Sequence, residues 1–171
     1  MTLISDEYRS MQAKLHENPE YGVASVHFAF FVNHTIQTYN LKQLLDYGAG
    51  KCRLKGVLEH DIEYFAYEPS NPELANAPSP REFVTCIDVL EHIEPECLMD
   101  VLDDLKRVTV NLGLFTIHTG EAMKILPDGR NAHLTQQPFS WWQDKLEQRF
   151  KILKHLEFNN TIIVLVQNKD K

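Results

Sequence analysis

The segment Gln43-Leu44-Leu45-Asp46-Tyr47-Gly48-Ala49-Gly50-Lys51-Cys52 constrains this chain more than any other. An apolar run that meets an acidic residue and then two glycines separated by one position reads as a buried strand breaking into a tight turn. Gly48 and Gly50 can take up backbone conformations closed to residues with a side chain, so a ligand can approach the main chain there. A helix following such a turn aims its free amide groups at whatever sits above the strand end. The same pattern also serves ordinary strand-to-helix turns, so its meaning depends on the residues downstream.

Residues from Asp6 to about Glu17 have helical spacing, with Ser5 or Asp6 as cap and Tyr8, Met11 and Leu15 on one face. Asn18-Pro19 ends that helix. Tyr21-Gly22 restarts the chain ahead of a second helix, reaching about Tyr39, whose apolar face holds Val26, Phe28, Phe30, Phe31, Val32 and Ile36. Residues 1–40 are thus expected to cover one end of a core formed by residues 41–171. After the glycine turn, Lys51 to about His60 reads as a helix and Tyr64 to Glu68 as a strand, a crossover unit between parallel strands. The next stretch holds Pro69, Pro72, Pro78 and Pro80 and reads as a loop too short for a further strand and helix.

Phe83 to Ile87 reads as a buried strand ending at Asp88, and Pro95 as the opening of a helix that runs to about Val108. Leu112 to His118 is a further strand, and Gly120 to Pro138 is a polar loop of a length that is usually functional or disordered. Ser140 with Gln143 resembles a capping box for a helix holding Trp141, Trp142, Leu146 and Phe150. Lys151 to Phe158 and Thr161 to Gln167, joined at Asn159-Asn160, read as an antiparallel hairpin. The expected fold is one α/β domain: a doubly wound, mostly parallel Rossmann-like sheet with helices on both faces and a C-terminal hairpin.

A chain of 171 residues that is 43% hydrophobic can build a full core without disulfide or metal staples. A net charge of −7 argues against a broad grip on nucleic acid, which needs clustered cations to displace counterions from phosphates. Cys52, Cys86 and Cys97 show neither an even count nor paired ligand spacing, so they read as reduced thiols, and no metal ligands are assigned. Asp6 and Glu7 stand where a signal peptide would be basic, and no apolar run reaches the length of a membrane span. A cytoplasmic protein with a small-molecule partner is expected; the oligomeric state is left open.

Three predicted strand ends carry the chemistry: Asp46 with Gly48-Ala49-Gly50, then Glu68-Pro69, then Asp88-Val89-Leu90-Glu91-His92-Ile93. A carboxylate about twenty positions beyond a glycine turn is placed to accept hydrogen bonds from ribose hydroxyls, and Glu68 fits that spacing. On these residues the chain resembles the class I S-adenosylmethionine-dependent methyltransferases, over about Leu44 to Gln167. It is also similar to a smaller group of short bacterial and phage-type members that pair the turn with Leu126-Pro127-Asp128-Gly129-Arg130-Asn131-Ala132-His133-Leu134 and a later Trp141-Trp142.

The resemblance implies a methyltransferase using S-adenosylmethionine, with Gly48, Ala49 and Gly50 under the methionine part of the cofactor and Glu68 and Pro69 at the ribose. Asp46, Asp88 and Val89 would flank the methionyl ammonium and carboxylate. Methyl transfer is an in-line displacement at a sulfonium in which positioning contributes most, and a base is needed only for a hydroxyl or protonated amine. His92, His118 and His133 are the candidate bases, and Arg130, Asn131 and Trp141 the candidate acceptor contacts. The implied acceptor is small or saccharide-like. Tyr8, Tyr21 and His27 are candidates for a cover over the cofactor, with core packing the simpler role for aromatics there.

Two departures from the family pattern stand out. Cys52 occupies the place of a third glycine, and the strand and helix that usually follow Glu68 are missing, which leaves residues 69–81 to enclose the adenine. The alternative reading is a non-catalytic module that keeps this fold and binds the cofactor or a protein partner.

Overall fold

The strands are β1 Gln43–Tyr47, β2 Glu63–Tyr67, β3 Arg81–Ile87, β4 Thr109–His118, β5 Phe150–Phe158 and β6 Thr161–Asn168. In this computed structural model, which describes residues 1–18 and 22–170, they form one sheet in the order β2-β1-β3-β4-β6-β5. Pro19 and Tyr21, at the expected break between the first two helices, lie outside the described residues. β1 runs parallel to β2 and β3, and β3 parallel to β4, whereas β6 is antiparallel to both β4 and β5. Among the described residues no strand flanks the outer edge of β2, as the shortness of residues 69–81 implied. The chain leaves β1 in one direction to form β2 and returns on its other side as β3, so a crevice opens at the carboxyl ends of these strands.

Side chains alternate between two cores. Leu44, Phe83 and Leu114 face one side of the sheet; Leu45, Val84 and Phe115, their immediate neighbours in sequence, face the other. On that second side pack α4 (Leu98–Val108) and α5 (Phe139–Glu147), through Val101, Leu105, Trp142 and Leu146. A buried Asp104 ties α4 to the sheet, accepting from Tyr47 Oη at 2.9 Å and from Arg107 Nε at 2.7 Å. The β5–β6 hairpin turns on Asn159 and Asn160 with φ of 47° and 59°, the left-handed pair that suits a two-residue loop.

Several expected elements differ. The crossover after the glycine turn is a short 3-10 segment, Arg53–Val57, in place of a helix from Lys51 to His60. Cys52 enters it at a left-handed φ of 55°, which turns the chain off a helical path, and Gly56 lowers the helical propensity of the residues beyond it. The N-terminal helices correspondingly do more than cover an end. The second is split into α2 (Ala24–His27) and α3 (Ala29–Tyr39) at Phe28, and α3 packs Val32 and Ile36 onto the sheet face that a long crossover helix would take. α4 begins at Leu98 rather than Pro95, because residues 95–97 form a turn in which Cys97 N donates to Glu94 O. No capping box forms: Pro138 is the N-cap of α5, Ser140 lies inside the helix, and Phe150 belongs to β5.

Candidate functional site

The ends of β1, β2 and β3 open into one pocket, and the structure brings to its wall Asp46, Gly48, Ala49, Gly50, Glu68, Pro69, Asp88 and Val89, all eight residues expected there. Gly48 and Gly50 have φ of 78° and 51°, and a Cβ on Gly48 would lie only 2.5 Å from Val89 Cγ2. The turn is held to β2 by Gly48 N and Ala49 N, which donate to Tyr67 O at 2.8 and 2.9 Å. Cys52, in the place of a third glycine, adopts the left-handed conformation that glycine would take without strain. Of the loop at residues 69–81, Pro69 lines the pocket.

Two carboxylates at the pocket are held in different ways. Asp46 accepts from Tyr64 Oη at 2.7 Å and Thr85 Oγ1 at 3.2 Å, yet its burial raises the carboxyl to about 6. Glu68 accepts from Gly50 N and Ser70 N at 3.0 Å and from Ser70 Oγ at 2.6 Å. With roughly four acceptor positions on a carboxylate, these bonds leave about one for a ligand hydroxyl and fix the group's orientation. Glu68 therefore also ties the glycine turn to the loop beyond β2.

The three candidate bases come together. The ring of His133 lies 4.7 Å from that of His92 and 5.0 Å from that of His118, although the three are far apart in sequence. Burial, against the opposing attraction of Asp88, lowers His92 to about 4, so its imidazole is neutral near pH 7. His92 Nδ1 bonds Ala132 O at 2.8 Å and His133 Nδ1 bonds Gly120 O at 2.7 Å; both partners are carbonyls, so each Nδ1 is the protonated nitrogen. Glu91 beside them is fully buried, with Oε1 accepting from His118 N of β4 at 2.5 Å. Asp88 leaves β3 with a left-handed φ of 56°.

One wall of the pocket is α1 (Asp6–His16). Ser5 caps it, accepting from Tyr8 N at 3.1 Å, and donates its own N–H and Oγ–H to the buried Glu94. Tyr8 Oη donates to His92 O at 2.7 Å. The loop after β4 folds onto the same helix, packing Leu126 and Ala132 against Tyr8. Tyr8 thus lines the pocket as a cover, while His27 is exposed and away from it and Tyr21 is outside the described residues. Sequence reading missed Gln12 and His16, whose spacing from Tyr8 places them along the same helix face, and gave no role to Glu91.

The expected acceptor contacts are not at this pocket. Arg130 is exposed and paired with Asp128, its neighbour two residues away, at 2.6 Å. Asn131 organises the loop, its Oδ1 accepting from Ala122 N and His133 N and its Nδ2 donating to Ala122 O. Trp141 stacks edge-on against the buried Trp142 on the α5 side of the sheet, with Lys145 over its ring. Adjacent positions on a helix point about 100° apart, so one tryptophan enters the core and the other remains half-buried.

The same architecture occurs in solved structures that cover nearly the whole chain. A 1,6-didemethyltoxoflavin-N1-methyltransferase from Burkholderia thailandensis, with its substrate and S-adenosylhomocysteine bound, matches at TM-score 0.70 and 15% identity over 98% of this chain and 92% of its own. The chain has the class I methyltransferase fold. Other class I structures agree: the N-methyltransferase NodS from Bradyrhizobium japonicum WM9 with S-adenosylhomocysteine matches at TM-score 0.65 and 8% identity, over 92% of this chain and 96% of that one. The methyltransferase domain of bacterial CtHen1-CN matches at 0.64 and 15%, over 84% and 99%. No protein-family model and no curated protein sequence matches the chain. Among the described residues no helix is long and apolar enough to cross a membrane.

Proposed function

We propose that this chain binds S-adenosylmethionine in the pocket at the ends of β1, β2 and β3 and transfers its methyl group to a small or saccharide-like acceptor. The observation that carries this reading is the convergence of the glycine turn, Glu68 and Asp88-Val89 on one pocket within a class I fold. In it, the left-handed Gly48 and Gly50 admit the methionine moiety against the main chain. Asp46 and Asp88 supply negative charge for its ammonium, and the remaining acceptor position of Glu68 takes a ribose hydroxyl. Gln12 and His16 on α1 close the pocket from the side opposite the sheet. The bound sulfonium would face the cluster of His92, His118 and His133, where the acceptor is to be sought.

The test is transfer of a labelled methyl group from S-adenosylmethionine to a panel of small alcohols, amines and sugars, alongside binding of S-adenosylhomocysteine. Binding with turnover on one acceptor class supports the reading. Binding without turnover on any acceptor favours a non-catalytic module that binds the cofactor, and absence of binding removes the methyl-transfer reading.

A further inference from the structure

We propose that Asp88, His92 and His133, backed by Glu91, form a divalent metal site at the edge of the pocket, suited to a first-row ion such as Mn2+, Fe2+ or Zn2+. One ligand atom from each of Asp88, His92 and His133 lies within 4.8 Å of the others. Both imidazoles are set up as ligands: each Nδ1–H is committed to a backbone carbonyl, at 2.8 Å for His92 and 2.7 Å for His133, which leaves each Nε2 with a lone pair. Metal-binding histidines are held by this kind of outer bond, which fixes tautomer and ring orientation together.

A separate observation points to a cation. Glu91 is fully buried, and while its Oε1 accepts from His118 N, its Oε2 has no hydrogen-bond donor among the described residues. That carboxyl lies against the carboxyl of Asp88, so two acids meet beside two histidines. A buried carboxylate oxygen without a donor is costly, and a cation bound at the adjacent Asp88 offsets that cost. Two imidazoles with carboxylates and no thiolate suit intermediate first-row ions, whereas Mg2+ and Ca2+ prefer oxygen alone. Three protein ligands leave coordination positions open to a further oxygen.

The use of the metal rests on the methyl-transfer reading above. An acceptor hydroxyl bound to the ion is acidified and gives its proton to water. Its oxygen then forms a bond to the methyl carbon as the carbon–sulfur bond breaks, and that electron pair stays on sulfur, leaving an ether and a neutral thioether. His92 and His133 act in this scheme as ligands rather than bases.

The experiment titrates chelator-treated protein with MnCl2 while following the free Mn2+ electron paramagnetic resonance signal, and repeats it with CoCl2 by visible absorption. One bound ion per chain is expected. His92→Gln and His133→Gln should each weaken binding at least tenfold, and Glu91→Gln severalfold, while His155→Gln, on the exposed hairpin, should leave it unchanged. If a variant fails to fold, the wild type alone decides: stoichiometric Co2+ should give the ligand-field bands of mixed nitrogen and oxygen coordination, and Mn2+ should raise Tm. No binding to the wild type, or equal binding by the His92→Gln/His133→Gln double variant, overturns the proposal and leaves Asp88 and Glu91 sharing a proton. S-adenosylhomocysteine titrated in parallel separates the two readings: its binding without metal binding removes only the metal site, and the reverse removes only the methyl-transfer reading.

Discussion

Replacing Gly48 by alanine tests whether the glycine turn is shaped by close approach of the backbone to Val89. Gly48 has φ of 78°, and a left-handed residue bearing a Cβ costs about 1–2 kcal/mol. The new methyl would also sit 2.5 Å from Val89 Cγ2 and 3.0 Å from Cγ1, well inside the ~3.5–4.0 Å optimum for carbon pairs. Val89 is β-branched and stiff at χ1, so it cannot swing aside cheaply; overpacking of this kind costs about 1–3 kcal/mol. Together the expected loss is about 2–5 kcal/mol, a large part of a typical domain's stability. Urea unfolding of Gly48→Ala, Val89→Ala and the double variant separates the contributions, because removing the valine methyls relieves the contact and leaves the backbone strain. The double-variant cycle should show a coupling of about 1–3 kcal/mol. A Gly48→Ala loss within about 0.5 kcal/mol, or strict additivity with Val89→Ala, refutes the reasoning.

Other outcomes are expected of the same structure. Asp46 titrates at about 6 in the folded chain against an ordinary value of 3.8, so between those pH values the unfolded chain loses this proton first and wild-type stability falls as pH rises. Asp46→Asn should flatten that fall, which amounts to about 2 kcal/mol between pH 4 and pH 6, as read from urea midpoints across pH. Trp142→Ala, at a fully buried position, should cost about 3–5 kcal/mol, and Trp141→Ala about 1 kcal/mol; equal losses would contradict the placement of α5. Ser5→Ala removes the cap of α1 and a donor to buried Glu94, so it should cost about 1–2 kcal/mol and speed hydrogen exchange in α1; unchanged exchange there would contradict the docking.

The features legible in sequence were those that local pattern controls. The apolar run into Gly48 and Gly50, the carboxylate at Glu68 and the strand ending at Asp88 each declare themselves within a few residues, and the sheet then gathers their ends at one pocket. The missing strand was legible too, because the residues between Glu68 and Phe83 are too few for a further strand and helix pair. The crossover helix was not, since Leu54, Val57 and Leu58 are spaced for a helix while Cys52 and Gly56 spoil its backbone. The face it leaves is filled by α3, a tertiary choice that no local signal reports. The meeting of His92, His118 and His133 depends on the loop after β4 folding onto α1 through Leu126 and Ala132, a contact between distant parts of the chain. In that same loop Arg130 looked available, but its near neighbour Asp128 takes it.

Calorimetric titration of S-adenosylhomocysteine tests the central claim most directly, with wild type and Glu68→Ala compared under one buffer. One molecule should bind per chain, and the variant should bind about 1–3 kcal/mol more weakly, the scale of lost hydrogen bonds to a charged group, or roughly 5- to 150-fold. Absence of binding to the wild type, or an affinity unchanged by Glu68→Ala, would contradict the assignment of the pocket at the glycine turn to this cofactor.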